Sequence, residues 1–156
     1  MFDAGSPAPA LTLEDSDGNA VRLAGFRGAS SVLIYFMRTT TCPVCNRHVR
    51  DLVTRADELA GRGLTVLIAV PEGRTEAAAW KAKRTIPFTV VTGERGSPHE
   101  AAGLTKRAFG ALQQSGSILV DTQGLIQHSH VAALPTMAFD KVGLSAALER
   151  LAPTAA

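Results

Sequence analysis

Two cysteines are all that the 156 residues contain. That is too few for the disulfide framework that staples small secreted domains, so a close pair of this kind reads as catalytic or metal-binding. Long hydrophobic runs are also lacking. None approaches the ~20 residues needed to cross a bilayer, and the reading is of a soluble chain. Charge of one sign is in short supply as well: 16 Lys and Arg stand against 14 Asp and Glu, a net charge of +2, spread along the sequence. The densest basic stretch, Lys81, Lys83 and Arg84, falls on a predicted surface helix and reads as a solvated face, which argues against a nucleic-acid partner. The start, Met1-Phe2-Asp3-Ala4-Gly5, has neither the basic residues nor the apolar stretch of a secretory signal, and the expected location is the cytoplasm.

What is present suits a globular protein. With 46% apolar and 19% charged residues the chain can bury a core, and its length predicts one domain over 1–156. Residues 5–28 read as a small β preface, with Ala10–Leu13 and Ala20–Leu23 paired across the turn formers Asp15-Ser16-Asp17-Gly18-Asn19. Ser31–Met37 is almost wholly apolar, as a central strand is. From Cys42 to about Arg62, Cys45, Val49, Leu52, Val53, Ala56, Leu59 and Ala60 recur at three and four, one apolar helical face. Leu64–Val70 is a second buried strand, so strand, helix and strand form a parallel crossover.

Arg74–Arg84 predicts a second crossover helix, with Trp80 as a packing residue, and Ile86–Val91 a short strand entered by a trans Pro87. Pro98–Leu112 holds fragments of helical character interrupted by Gly103 and Gly110. A clear hairpin follows, Ser117–Val120 and Leu125–Val131 around Asp121–Gly124, where His128 and His130 share what reads as a solvated strand face. Val142–Leu151 closes the chain as an amphipathic helix. The fold class is α/β with a mixed sheet.

The cysteines stand as Cys42-Pro43-Val44-Cys45 where the first core strand turns into a helix. Unpaired backbone N–H groups and the macrodipole favour a thiolate there. The size of the effect matters: a thiol of pKa ~8.5 is only about 3% ionised at pH 7, one lowered to ~7 about half. Pro43 suits the first helical position, where its missing N–H costs nothing, and Thr41 is the expected N-cap. Cys45, on the inward face, is expected to be less exposed than Cys42. Attack by one sulfur and resolution by the other across one helical turn is the chemistry this spacing supports. A zinc site would need four ligands, and Cys42, Cys45 and His48 have no second pair nearby, so no metal is expected.

Over nearly its whole length the chain resembles the alkyl hydroperoxide reductase and thiol-specific antioxidant family, in the peroxiredoxin-like branch with Cys-x-x-Cys. The residues that carry the likeness are Gly5-Ser6-Pro7-Ala8-Pro9 with Leu11, Leu13, Asp17-Gly18 and Leu23, then Phe26-Arg27-Gly28, Tyr35–Cys45, and Ile118–Ile126. The resemblance implies a thioredoxin-like fold, a central mixed sheet flanked by helices with an N-terminal β-hairpin extension. It also implies Cys42 as nucleophile, Cys45 as second cysteine, and Thr39 as the hydroxyl that helps orient a peroxide.

Two departures stand out. Tyr35 occupies the proline position of the family's P-x-x-x-T-x-x-C signature, and Ser115 stands where peroxiredoxins carry an arginine and thioredoxins a cis-proline. Arg38, in the same turn as Cys42, is the expected substitute cation. Thr41, Pro43 and Ser115 complete the expected substrate-binding set.

The resemblance implies a thiol peroxidase acting on hydroperoxides, re-reduced by an external thiol donor such as a thioredoxin-type protein, with no cofactor and with homodimeric assembly. The Cys-x-x-Cys spacing supports an alternative, disulfide exchange on a disulfide substrate. The missing arginine and proline motivate a third reading, a catalytically inactive redoxin-fold binding module.

Overall fold

The computed structural model describes residues 3–93, 97–102, 104, 106–107, 112–113, 115–132 and 141–151. The chain opens with β1 (Thr12–Asp15) and β2 (Ala20–Arg22), an antiparallel pair. The turn closes on the Asp15 carboxylate, which accepts the amide N–H groups of Asp17 and Asn19 at 2.9 Å each. Gly18 adopts φ +89° there, a conformation that favours glycine. A 3-10 turn over Leu23–Phe26 leads to β3 (Ser31–Phe36), buried at every position.

The expected long helix is two, α1 (Pro43–Thr54) and α2 (Ala56–Gly61). The break has a local cause. The Thr54 hydroxyl donates to the Asp51 carbonyl (2.7 Å) and the Arg55 N–H to Leu52 (3.0 Å), tightening the last turn of α1. β4 (Leu64–Ala69) and α3 (Arg74–Arg84) stand where they were expected. β5 runs over Thr89–Gly93, three residues later than Ile86–Val91 predicts. The Ile86 N–H is already used by the Lys81 carbonyl (3.1 Å) at the end of α3, and trans Pro87 has no N–H to offer a ladder.

The short α4 (Pro98–Ala101) is the one helical fragment described between 98 and 112. After it comes a side ribbon of β6 (Lys106–Arg107) and β7 (Leu112–Gln113) rather than further helix; Gly103 and Gly110 lie outside the described residues. β8 (Ser115–Val120) and β9 (Ile126–Ala132) form the late hairpin, and α5 (Lys141–Arg150) lies against β9.

Among the described residues seven strands make one mixed sheet, ordered β2-β1-β5-β4-β3-β8-β9. β3, β4 and β5 are parallel, while β8 runs antiparallel to β3 and pairs Phe36 with Gly116. The carboxyl ends of the three parallel strands and the start of β8 thus share one edge. One face of β3 (Leu33, Tyr35, Met37) packs in a cluster with Cys45, Val49 and Leu52 of α1, Trp80 of α3 and Leu144 and Leu148 of α5. The other face (Val32, Ile34, Phe36) packs with Leu11, Leu13, Leu23 and Leu104.

His128 and His130 share a face as expected, but it is not a solvated one. The register pairs them with Leu119 and Ser117, and both are half-buried. Packing of α5 against β9 accounts for the difference.

Candidate active site

The turn between β3 and α1 leads into the cysteine pair, and it is fastened at each step. The Met37 N–H donates to Ala69 at 2.9 Å, extending the ladder one residue past β3. Its carbonyl accepts from Nε2 of His99 at 2.6 Å, which places the proton on that nitrogen. His99 is fully buried against Phe36, its Nδ1 has no hydrogen-bond partner among the described residues, and burial pushes the imidazole down to about 4.

Glu72, in the loop after β4, takes the next residue. Its carboxylate accepts both the Thr40 N–H (2.9 Å) and the Thr40 hydroxyl (2.8 Å). Asn46 braces the turn from α1: its amide donates to the carbonyls of Thr40 and Cys42, both at 2.9 Å, while its own oxygen accepts the Trp80 indole N–H at 2.9 Å. Trp80 is therefore a core residue with a polar task. Neither Glu72 nor Asn46 carries a motif. The readable signal was position alone, since in sheets of this kind sites form outside the carboxyl ends of parallel strands.

Cys42 is itself the N-cap of α1. Its Sγ accepts the Cys45 N–H at 3.2 Å, its backbone is extended (φ −68°, ψ 116°), and Pro43 follows at the first helical position. Thr41 does not cap as expected; it is exposed, and its hydroxyl pairs with that of Thr39 at 3.2 Å. The reason is register. With Pro43 opening the helix, the free N–H groups of the first turn face residue 42 and not residue 41. Both cysteines are reduced and buried, Cys42 at 3% exposure and Cys45 at 0%, in the expected order.

For Cys45 the helix start does not win. Burial pushes its thiol up to about 11 and the adjacent Cys42 adds to the rise, against the Arg38 N–H and the Tyr35 hydroxyl, which both favour the thiolate. Desolvation outweighs the macrodipole, as it does wherever a full charge would be buried against a partial one.

The remaining expected residues are gathered unevenly. Arg38 is half-buried, and its Nε is enclosed without a hydrogen-bond partner among the described residues. Thr39 meets Cys42 through its carbonyl, which accepts the Cys42 N–H at 3.4 Å, while its hydroxyl turns to Thr41. Pro43 is exposed beside the pair. Ser115, fully buried with an unbonded hydroxyl, begins β8 one residue beyond the Phe36–Gly116 pair, at the strand end from which the turn departs. Among the described residues no group of three or more His, Cys, Asp or Glu side chains is arranged to hold a metal, and no helix is long and apolar enough to cross a membrane.

A parallel β3–β4–β5 core joined by crossover helices, with β8 antiparallel at its side and a Cys-x-x-Cys pair opening α1, is a thioredoxin-like fold carrying a dithiol. A profile of the AhpC/TSA family matches residues 4–129, and the chain belongs to that family. It is similar to peroxiredoxin Bcp of Escherichia coli K12, with 30% identity over 130 residues, 80% of this chain and 83% of that protein. Chloroplastic peroxiredoxin Q of Oryza sativa subsp. japonica is 27% identical over 124 residues, 80% of this chain but 57% of that protein, so the chain spans little more than half that relative's length. In three dimensions the crystal structure of peroxidoxin BcpB from Mycobacterium tuberculosis matches with a TM-score of 0.77 over 96% of each chain, at 15% identity.

Proposed function

We propose that the protein is a thiol-dependent peroxidase. The Cys42 thiolate attacks the terminal oxygen of a hydroperoxide. The O–O bond breaks, Cys42 becomes a sulfenic acid, and the alkoxide or hydroxide leaves with a proton as alcohol or water. The Cys45 thiolate then attacks the Cys42 sulfur, the S–O bond breaks, hydroxide departs as water, and a Cys42–Cys45 disulfide remains. Two electrons from an external dithiol restore the pair.

The observation that carries this reading is the Cys42 sulfur sitting as N-cap of α1 on the Cys45 N–H. In that position the sulfur stands at the start of the helix, within one turn of its partner cysteine. Thr39 and Arg38 join the two cysteines as catalytic residues, Arg38 supplying the cation that position 115 does not, and Thr41, Pro43 and Ser115 are the substrate-binding set. The reading brings with it a thioredoxin-type donor, a homodimer and a cytoplasmic location.

A second reading rests on the same contact. Two sulfurs already adjacent across one turn suit exchange with a disulfide substrate through a mixed disulfide, with no peroxide involved.

Stopped-flow oxidation of the reduced protein by hydrogen peroxide separates them, with Cys42→Ser and Cys45→Ser alongside. Fast oxidation that disappears in Cys42→Ser and halts at sulfenic acid in Cys45→Ser is the expected result. Oxidation no faster than that of a free thiol, with rapid exchange against a disulfide, transfers the assignment to the oxidoreductase. Inertness to both leaves a binding module.

A further inference from the structure

Two helices leave a groove beside the cysteine turn. α1 and α3 meet where the Trp80 indole donates to Asn46 at 2.9 Å, and a groove of about 370 Å³ opens beside that contact with Asn46 in its wall. Its volume lies within the ~300–1,000 Å³ of binding clefts. The floor is apolar, made of Val49, Val53 and Ile86 at the edge of the larger core cluster. The rim is cationic: Arg50 from α1, with Lys83 and Arg84 from the last turn of α3, all three exposed.

Acids and bases nearly balance over the whole chain, yet no Asp or Glu lines this groove, and among the described residues none of the three cations has an ion-pair partner. Lys83 and Arg84 complement the C-terminal end of their own helix. Arg50, in the middle of α1, has no such task. Three like charges drawn from two elements onto one apolar strip repel one another, and a segment that carries carboxylates offsets the repulsion while its apolar side chains cover the floor.

The groove is also placed for one event in the cycle. Cys42, Asn46, Val49, Arg50 and Val53 recur at three and four, one stripe of α1 that starts at the reactive pair. Asn46 itself donates to the Cys42 carbonyl at 2.9 Å. The chain has two cysteines and no third to reduce them, so the electrons that restore the pair come from outside and arrive at this edge.

Resting on the proposed re-reduction of the pair by an external dithiol, we propose that this groove is the docking site of the reducing protein, and that it takes a segment of that protein in which acidic and apolar side chains are mixed beside its cysteines. A donor thiolate attacks Cys42 Sγ, the less buried sulfur. The Cys42–Cys45 bond breaks, Cys45 leaves as a thiolate and takes up a proton, and a mixed disulfide remains. The donor's second thiolate then attacks the donor sulfur of that bond, Cys42 departs as a thiolate, and the donor leaves oxidised, having passed two electrons. The groove holds the donor through both steps and itself reacts with nothing.

The disulfide form is made with diamide, so that its preparation does not depend on peroxide. It is then reduced by dithiothreitol or by one of two synthetic peptides that share a Cys-Gly-Pro-Cys core and differ in the tail, Leu-Glu-Glu-Leu-Glu against Leu-Lys-Lys-Leu-Lys, with alkylation and mass spectrometry reading the rate. The acidic peptide is expected to outrun the basic one by roughly tenfold or more at low salt, and by less than about twofold in about 1 M salt, where the screening length is ~3 Å. In the triple variant Arg50→Glu, Lys83→Glu, Arg84→Glu that preference should vanish or reverse, while uncharged dithiothreitol stays within about twofold of wild type.

No preference in the wild type, or the same preference in the triple variant, overturns the proposal. A triple variant that keeps the preference but loses self-association, or is slowed in oxidation by a carboxylate-bearing hydroperoxide, gives the groove to a second copy or to the substrate and overturns it equally. Where the triple variant does not fold, Arg50→Gln removes the one cation without a helix-end task, and the preference should fall roughly threefold; an unchanged preference is again fatal. A wild-type protein that hydrogen peroxide does not oxidise, with the peptide preference intact, overturns the peroxidase reading and leaves the docking site standing.

Discussion

The Glu72 carboxylate holds Thr40 by two bonds at once, accepting its N–H at 2.9 Å and its hydroxyl at 2.8 Å. The contact joins the loop after β4 to the turn before α1, so the backbone that presents Cys42 is clamped between two strand ends. Glu72→Ala should lower stability by about 1.5–3 kcal/mol, the value of hydrogen bonds to a charged acceptor, seen as a fall of several degrees in Tm. Glu72→Gln, which keeps one good acceptor, should lose roughly half as much. Scanning calorimetry of the three proteins checks the order, and a Tm indifferent to both substitutions would show that the clamp is not made in solution.

The Asn46 side chain hydrogen-bonds Thr40, Cys42 and Trp80 together. Closing a Cys42–Cys45 disulfide would take the Cys42 sulfur off the Cys45 N–H, and Asn46 links the Cys42 carbonyl to the indole. Trp80 fluorescence should therefore change between the reduced and oxidised protein, and in Asn46→Ala most of that change should vanish. The same variant takes the Asn46 amide from the Thr40 carbonyl and the indole N–H, while the Cys42 carbonyl still accepts the backbone N–H of residue 46 at 3.0 Å, at a cost of about 1–3 kcal/mol. An identical redox difference spectrum in wild type and Asn46→Ala would refute the coupling.

His99 makes stability depend on acid. Its folded value of about 4 lies below the unfolded 6.5, so between these limits the unfolded chain binds the extra proton. The native state is favoured fully above pH 6.5 and loses about 3 kcal/mol as pH falls to 4. Urea titrations at pH 7.5 and 4.5 should show this loss in the wild type and a much smaller one in His99→Gln. Equal losses in the two proteins would remove His99 from the account.

Arg38 has an enclosed Nε with no hydrogen-bond partner among the described residues, in the turn that leads to Cys42. Arg38→Ala should lower the second-order rate of Cys42 oxidation by ten- to a hundredfold, as expected for losing a cation that polarises the departing oxygen, with Tm nearly unchanged. Arg38→Lys should recover part of the rate, because the charge returns without the planar fork. A variant as fast as the wild type would mean that the cation comes from elsewhere.

Much of the framework was readable in the sequence because its causes are local. β3 and β4 are continuous apolar runs, α1 repeats Cys45, Val49 and Leu52 at helical spacing, and the late hairpin is written in Asp121, whose carboxylate accepts the Gln123 and Leu125 N–H groups at 2.9 Å each. The placement of Cys42 ahead of Cys45 in exposure followed from the same periodicity. What escaped was long-range or competitive. Thr40 meets Glu72 from 32 residues away and Trp80 meets Asn46 from 34, and no local propensity encodes either. Thr41 had the better capping chemistry, yet the position of Pro43 gave the role to a sulfur. His128 and His130 alternated as a strand does, but only the docking of α5 decided which side of the sheet was wet. Cys45 illustrates the limit best: the helix start is visible in the sequence, whereas the burial that overrides it is a property of the finished core.

The Cys42 sulfur, the nucleophile of the proposed reaction, is also the atom that closes the first turn of α1. In the proposed cycle each turnover would withdraw a cap and return it, at a cost on the scale of ordinary capping, about 1 kcal/mol. With the thiol pair reduced the cap is made, and the expected outcome is that the first turn frays at Cys45 once the Cys42 sulfur is spent on oxygen or on its neighbour. Amide hydrogen exchange at Cys45 would read that fraying directly. A reducing protein arriving at this edge would find the oxidised form recognisable by its looser backbone, so that the record of having met an oxidant is kept in a single backbone amide.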